Sequence, residues 1–308
     1  MTTEHERLAA QLRAGLRGEV RAGHPLAAHT HYRIGGPADL ALFPADAQDL
    51  ARAVELLDAA GLPRVVLGGG CNVLVSDRGV RGAVVLTEAL RQVRVEDGAL
   101  TAGAGARSHD VALAALDAGL TGAEFLAHLP GSIGGACFMN ARAYGGEISQ
   151  VLRRAAVVDP AIGLSEVQLD ASQFAYKRSP FQTSGAIVAE AVLQLADGDR
   201  RQIEDRMTHI ERERRARHEL DHPSCGCVFQ NDHAIGVPSG QLIESCGLKG
   251  YRVGDAQVSL HHANFVFNLG AATARDVHTV IEHVRRTVAE RTGHHLELEV
   301  QLVGDWDE

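Results

Sequence analysis

The sequence predicts an α+β fold. Helical and strand-like segments follow one another without the regular βαβ alternation that builds a doubly wound parallel sheet. From about residue 83 the rhythm changes to short strands at hairpin spacing. No internal repeat or low-complexity linker interrupts the 308 residues, a length that suits two domains or three small ones.

Taken in order, the first 20 residues read as a polar helix. Tyr32-Arg33-Ile34 reads as a strand entering the turn Gly35-Gly36-Pro37. Asp46 is placed to cap a helix that carries Leu50, Val54 and Leu57 on one face and stops at Gly61. Val65-Val66-Leu67 is a short buried strand running into Gly68-Gly69-Gly70-Cys71-Asn72. Strands follow at Ala83–Leu86, Val93–Val95 and Leu100–Ala102, the last two joined at Asp97-Gly98, a hairpin turn pair. Ser108 is placed to cap a helix ending at Gly119. After the glycine-rich stretch from Pro130 to Gly146 come strands at Ala155–Val158, Ser165–Leu169 and Ile187–Leu195. Asp197-Gly198-Asp199 marks a boundary before a charged helix over about Gln202 to Arg217. Beyond it, Ser239 is placed to cap a helix ending near Gly247, with strands around Gln257 and at Phe265–Phe267. Thr273 caps a long helix to about Arg291, and Leu296–Val303 closes the chain as a strand. The implied division is 1–80, 81–198 and 199–308.

Composition narrows the function classes. Hydrophobic residues make up 45% of the chain but aromatics only 4%, so cores must be built from Ala, Val, Leu and Ile. A net charge of −9 argues against a general nucleic-acid binder. The five cysteines, Cys71, Cys137, Cys225, Cys227 and Cys246, are odd in number and scattered, which argues for a reducing, cytoplasmic compartment rather than a disulfide scaffold. No cysteine or histidine spacing completes a metal site, so none is expected. The N-terminus is too polar for a signal peptide, and no apolar run approaches the roughly 18 residues of a membrane span. Of the 30 basic residues only Lys177 and Lys249 are lysines, and both fall in segments singled out below.

Gly68-Gly69-Gly70 after a strand lets backbone N–H groups approach an anion closely. It is neither a P-loop, lacking the Gly-Lys-Ser/Thr, nor a dinucleotide fingerprint, lacking G-x-G-x-x-G. By itself it reads as a tight turn. A second loop, Gly131-Ser132-Ile133-Gly134-Gly135 between Pro130 and Asn140, supplies another donor-rich turn. Two such loops suit a long ligand with a diphosphate.

Three segments in this order, Arg33-Ile34-Gly35-Gly36-Pro37-Ala38, Leu67 through Leu74, and Pro130 through Ala141, resemble the UDP-N-acetylenolpyruvoylglucosamine reductase family, over about residues 25–304. The resemblance implies a two-part FAD-binding domain of the vanillyl-alcohol-oxidase/PCMH type followed by a C-terminal α+β substrate-binding domain. It implies FAD as cofactor and NADPH as reductant, a nucleotide-sugar substrate, and no obligate protein partner. Flavin contacts are then expected from Arg33, Ile34, Gly68, Gly69, Gly70, Cys71, Asn72, Val73, Pro130, Gly131, Ser132, Gly134, Gly135 and Asn140. Two departures stand out: Cys71 where Ser is usual, and Arg142 where a Gly usually follows Asn-Ala.

Reducing an enol ether conjugated to a carboxylate needs a hydride on one carbon, a donor for the developing enolate and a proton on the other carbon. Cys227, in Gly226-Cys227-Val228-Phe229, is similar to the family's Gly-Ser-Val-Phe, whose Ser donates the proton. A thiol of pKa about 8.5 is mostly protonated at neutral pH and suits the task. Glu299 matches the family's catalytic Glu, although strand alternation alone puts Glu297 on the same face. Tyr176-Lys177-Arg178-Ser179 resembles Tyr-Arg-x-Ser, whose Arg engages the substrate. The gap-free match is Lys177, with Arg178 next, and on a strand only one of them would point inward. Substrate contacts are nominated at Tyr176, Arg214, Asn231, Lys249 and His262. The short interval between Lys177 and Cys227 resembles the compact subfamily without the tyrosine-bearing insert. Two alternatives stay open: another FAD oxidoreductase of the same superfamily, and a non-catalytic flavin binder.

Overall fold

The structure is a computed structural model that describes residues 2–217, 222–232 and 234–306. The chain divides into two compact units, each assembled from separate stretches of sequence. The first comprises Met1–Gly23, Asp39–Gly69 and Gly82–Arg214, the second His24–Ala38, Gly70–Arg81 and Arg215–Glu308.

The first unit holds two sheets over one core. A four-stranded sheet runs in the order Glu19–Pro25, Pro37–Phe43, Val80–Leu86, Arg64–Leu67, the last pair parallel. A five-stranded antiparallel sheet runs Gly163–Gln168, Leu152–Asp159, Ile187–Gln194, Ala99–Gly103, Val93–Glu96. Leu40 and Val85 of the former and Leu100, Val157 and Leu193 of the latter belong to one buried cluster. That cluster also takes Leu50, Val54 and Leu57 of the helix Ala47–Ala59. Asp46 caps this helix as the sequence predicts, its carboxylate accepting the N–H groups of Gln48 and Asp49 at 3.0 Å. The Asp97-Gly98 turn also forms, with φ of 49° and 75°, the double left-handed conformation of the type I′ hairpin.

The second unit packs the three-stranded sheet Arg252–Val253, Ala256–Val258, Val266–Asn268 and the helices Ser239–Ser245 and Ala274–Thr292 around a core of Val228, Phe229, Ile243, Val258, Val280, Ile281 and Val284. Tyr32, Ile34 and Leu74, far earlier in the sequence, lie in the same core. Thr273 and Asp276 close a capping box at the head of the long helix. Val73–Val75 pairs in parallel with Gln301–Val303.

Several elements differ from the sequence reading. The N-terminal helix ends at Gly15 and a strand, Glu19–Pro25, follows it. Tyr32, Arg33 and Ile34 form a turn instead of a strand, because Thr30 binds back to the chain: its carbonyl accepts the Arg33 N–H and its hydroxyl donates to the Ile34 carbonyl. Of the strand Arg64–Leu67 only Leu67 is buried. Ser108 and Ser239 are the first helical residues, one position past the caps Arg107 and Pro238. Their hydroxyls donate instead to the carbonyls of Gly131 and Gln230. The closing strand is confined to Gln301–Val303, so Glu297 and Glu299 lie in irregular chain. Among the described residues no helix is long and apolar enough to cross a membrane.

Candidate active site

In the first unit the two glycine loops touch backbone to backbone. A side chain at Gly69 would put its Cβ 2.6 Å from the Gly131 Cα, and one at Gly68 would lie 2.4 Å from the Ser132 hydroxyl. That hydroxyl accepts the Gly69 N–H at 3.0 Å, so Ser132 ties the loops together. Gly134 packs on Ala104, its N–H donating to the Ala104 carbonyl at 2.8 Å, while Ile133 donates to Ala106. The N–H groups of Gly69 and Gly134 are therefore engaged within the protein. The glycines' first task is to let two backbones meet. Bare backbone at Gly68 and Gly69, where any Cβ would collide with Ser132 or Gly131, fits the close approach of a diphosphate-bearing cofactor.

Asn140 is fully buried at a φ of 42°, a conformation that Asn tolerates better than most residues. Its amide donates to the Glu147 carboxylate at 2.6 Å and to the Ala175 carbonyl at 2.9 Å, and its oxygen accepts the Ser149 N–H at 3.2 Å. Ser149 donates to the same Glu147 oxygen at 2.7 Å. Asn140 thus tethers the segment that carries the candidate cations.

That segment is a tight turn and not a strand. Ala175 and Arg178 exchange backbone hydrogen bonds at 3.1 and 3.0 Å, leaving Tyr176 and Lys177 at the corner with Lys177 at φ 58°. The expected strand alternation between Lys177 and Arg178 therefore does not apply. Arg178 is exposed, while Tyr176 and Lys177 are half-buried. Gln182 holds the far side of the turn, donating to the carbonyls of Lys177 at 3.1 Å and Phe138 at 2.8 Å. Arg214 lies half-buried on the helix Arg200–Arg217 of this unit.

In the second unit Cys225-Gly226-Cys227 bends at Gly226, whose φ is 80°. The bend buries Cys225 and leaves Cys227 half-exposed. Burial pushes the Cys225 thiol up to about 12, and the charges of Cys227 and Glu299 add to that effect, against a lowering contact with Tyr32. The fully buried Tyr32 phenol is likewise raised, chiefly by desolvation. Cys227 pairs with Phe265 on one side. On the other, the next residue's carbonyl, that of Val228, accepts both the Glu299 N–H at 2.8 Å and the Val300 N–H at 3.2 Å. Asn72 holds the other end of Glu299, donating its amide to the Glu299 carbonyl at 2.9 Å. The segments bearing Cys227 and Glu299 are thus neighbours through Val228. Glu299 is half-buried where Glu297 is exposed, a distinction that alternation could not make.

Buried Asn264, absent from the sequence reading, organises this region. Its side chain accepts the Phe229 N–H at 2.9 Å and donates to the Phe229 carbonyl at 2.8 Å, while its own carbonyl accepts the Val228 N–H. Asn231 caps the start of Ser239–Ser245 by accepting the Ser239 N–H at 2.9 Å. Lys249 pairs with Glu244 at 2.7 Å. His262 is brought near both: burial first, then the Lys249 cation, hold it below the usual imidazole range, partly opposed by Glu244. Its Nδ1 accepts the Asn264 N–H at 3.3 Å. Gly70, Cys71 and Asn72 belong to this unit although Gly68 and Gly69 do not. A Cβ on Gly70 would lie 2.0 Å from the His29 carbonyl, at a φ of 62°. Exposed Arg33, buried Ile34 and Val73 of the strand Val73–Val75 complete the nominated residues here. A polar cleft of about 220 Å³ on the long helix, lined by Glu282, Arg285, Arg286, Ala289, His295 and Leu296, includes none of them. Among the described residues no three His, Cys, Asp or Glu side chains gather as a metal site.

Residues 38–163 match a family described as an FAD binding domain, and residues 218–303 match the C-terminal domain of UDP-N-acetylenolpyruvoylglucosamine reductase. The chain is 40% identical over 301 residues to the UDP-N-acetylenolpyruvoylglucosamine reductase of Halalkalibacterium halodurans, covering 97% of this chain and 99% of that one. It is 42% identical over 300 residues to UDP-N-acetylenolpyruvoylglucosamine reductase 2 of Symbiobacterium thermophilum, covering 96% and 97%. The crystal structure of the reductase from Thermus caldophilus superposes with a TM-score of 0.77 at 33% identity, over 94% of this chain and 99% of that one.

Proposed function

Because the chain belongs to the UDP-N-acetylenolpyruvoylglucosamine reductase family and is an FAD-containing oxidoreductase, we propose that it reduces UDP-N-acetylglucosamine enolpyruvate to UDP-N-acetylmuramate. NADPH is the reductant, and the reaction is a cytoplasmic step of peptidoglycan precursor synthesis. The observation that carries this reading is the pairing of Glu299 and Val300 to the carbonyl next to Cys227, which sets a thiol and a carboxylate on adjacent segments. Neither a plain flavin binder nor another FAD oxidoreductase of the same superfamily needs that arrangement.

The crowded glycine loops Gly68-Gly69 and Gly131–Gly135 would take the FAD diphosphate, with Ser132 fixing their spacing. When bound, FAD supplies the hydride chemistry that passes reducing power from the nicotinamide to the enolpyruvyl group. Lys177, presented at the corner of its turn, stabilises the negative charge that develops on the substrate, with Arg178 as the alternative cation. Cys227 delivers the proton from Sγ to the α-carbon. Glu299, held by Asn72 and Val228, stands beside that step. Lys249, His262, Asn231 and Arg214 bind the nucleotide-sugar. On this reading residues 1–80 and 81–198 form the two flavin-binding parts and 199–308 the substrate-binding part.

The test is anaerobic. The yellow holoprotein should bleach with NADPH and recolour on addition of the enolpyruvyl nucleotide-sugar, with the lactyl ether as product. Bleaching without recolouring would leave a different flavin oxidoreductase, and no bleaching at all a flavin binder.

A further inference from the structure

Two cations converge on one aromatic ring in the first unit. The Arg142 guanidinium lies 5.8 Å from the centre of the Tyr176 ring, and the Lys177 ammonium 5.9 Å. Both distances are within cation–π range. Arg142 comes from a short hairpin: Arg142–Ala143 pairs antiparallel with Gly146–Glu147, and the turn between them has Tyr144 at φ 51° and Gly145 at φ 85°. Glu147, opposite Arg142 in this hairpin, approaches it only at 4.0 Å. The other Glu147 oxygen is already committed to Asn140 and Ser149. The Arg142 side chain remains about half exposed, at 49%.

We propose that Arg142 is a specificity-determining residue that, with Lys177 beside Tyr176, recognises the carboxylate of the enolpyruvyl group. The inference rests on the functional reading above. An ammonium offers a point charge, whereas a guanidinium offers two parallel N–H donors that match a carboxylate. Lys177 supplies the first and Arg142 the second, so the two side chains divide between them what one arginine at the turn could provide. Glu147 balances part of the added charge without consuming the guanidinium's donors in a close ion pair.

Calorimetry on the FAD-loaded protein tests this with two ligands, UDP-N-acetylmuramate, which carries the carboxylate, and UDP-N-acetylglucosamine, which lacks it. The wild type should prefer the first. Arg142→Ala should reduce that preference about tenfold or more, the loss of a charge-assisted pair, and Arg142→Lys should restore only part of it. Adding Lys177→Arg to Arg142→Ala should recover the preference by returning a guanidinium to the site. An unchanged preference in Arg142→Ala overturns the proposal, as does an equal loss for both ligands, which would mark a structural role. Failure of Lys177→Arg to rescue also overturns it. A wild type with no preference for the carboxylate ligand would instead sink the functional reading itself.

Discussion

Asn72 donates its side-chain amide to the Glu299 carbonyl at 2.9 Å, joining positions 227 apart in sequence. The Asn72 carbonyl in turn accepts the Gln301 N–H at 2.9 Å. A residue nominated from its glycine loop as a flavin contact therefore also positions the candidate catalytic carboxylate. Asn72→Ala should keep flavin bound yet lower kcat several-fold, with a stability loss of about 1 kcal/mol for one hydrogen bond. Flavin absorbance of the purified variant, set beside its steady-state rate, separates the two roles. Loss of flavin with normal kcat after reconstitution would return Asn72 to cofactor binding alone.

Cys227→Ala should spare flavin reduction by NADPH and slow reoxidation by the enolpyruvyl substrate by about 10²-fold, the lower range for loss of a positioned acid. Cys227→Ser should retain substantial activity, since a hydroxyl fills similar space and can donate a proton. Stopped-flow absorbance reads each half-reaction. Equal slowing of both would mean that the thiol is merely structural.

Gly69→Ala should yield protein that does not retain FAD. Its methyl would meet the Gly131 backbone at 2.6 Å, and separating the loops would break the Gly69–Ser132 bond. The visible spectrum after gel filtration measures this. Full flavin occupancy would mean that the loops can part without consequence.

Asn140→Ala removes three hydrogen bonds of a buried amide and places Ala at a φ of 42°. Unsatisfied partners and left-handed strain together should cost about 3–5 kcal/mol. Denaturant unfolding of the variant should show that loss, and KM should rise as the Tyr176-Lys177 turn loosens. A loss below 1 kcal/mol would show that water replaces the network.

His262 is held below its ordinary pKa of 6.5, first by burial and then by Lys249. The folded state therefore binds the imidazole proton less readily than the unfolded chain. The stabilising contribution is complete above pH about 6.5 and is lost as pH falls from there through the folded pKa. Replacing Lys249 with Met should raise the His262 pKa, visible by NMR titration. His262→Asn should flatten the fall in unfolding free energy below neutrality. A pKa unmoved by Lys249→Met would show that the ammonium does not act on the ring.

The parts of this structure legible in the sequence are those fixed by neighbours in the chain. Asp46, Thr273 and Asp97-Gly98 act within a few residues of themselves, so their local chemistry is sufficient. The misread parts depend on distant partners as well as near ones. The Tyr32–Ile34 segment has strand composition, but Thr30 folds it into a turn and Asn268 fixes it by donating to the Tyr32 carbonyl at 2.9 Å. The Lys177 turn resembles a strand until Asn140 and Gln182 are seen to hold its two sides. Glu299 and Glu297 separate through different distant partners, Val228 and Asn72 for the first and the Gln230 N–H for the second. Asn264, Glu147, Ser149 and Gln182 carry no motif of their own, and only the partners they meet reveal them.

The second unit's core begins with Tyr32, Ile34 and Leu74 and resumes only at Cys225. On the ribosome roughly 150 residues separate those two contributions, a delay on the order of ten seconds at ordinary elongation rates. Over that interval the first unit gains its longest stretch, Gly82–Arg214, while the early apolar side chains still await the core residues that start at Cys225. Nascent chains arrested before Cys225 should therefore present Tyr32 and Leu74 to proteases and chaperones, whereas the five-stranded sheet should already resist digestion. Closing contacts across so long a stretch also raises contact order, which slows refolding. The same discontinuity makes the C-terminal third a poor candidate for independent expression, since it lacks three of its own core residues.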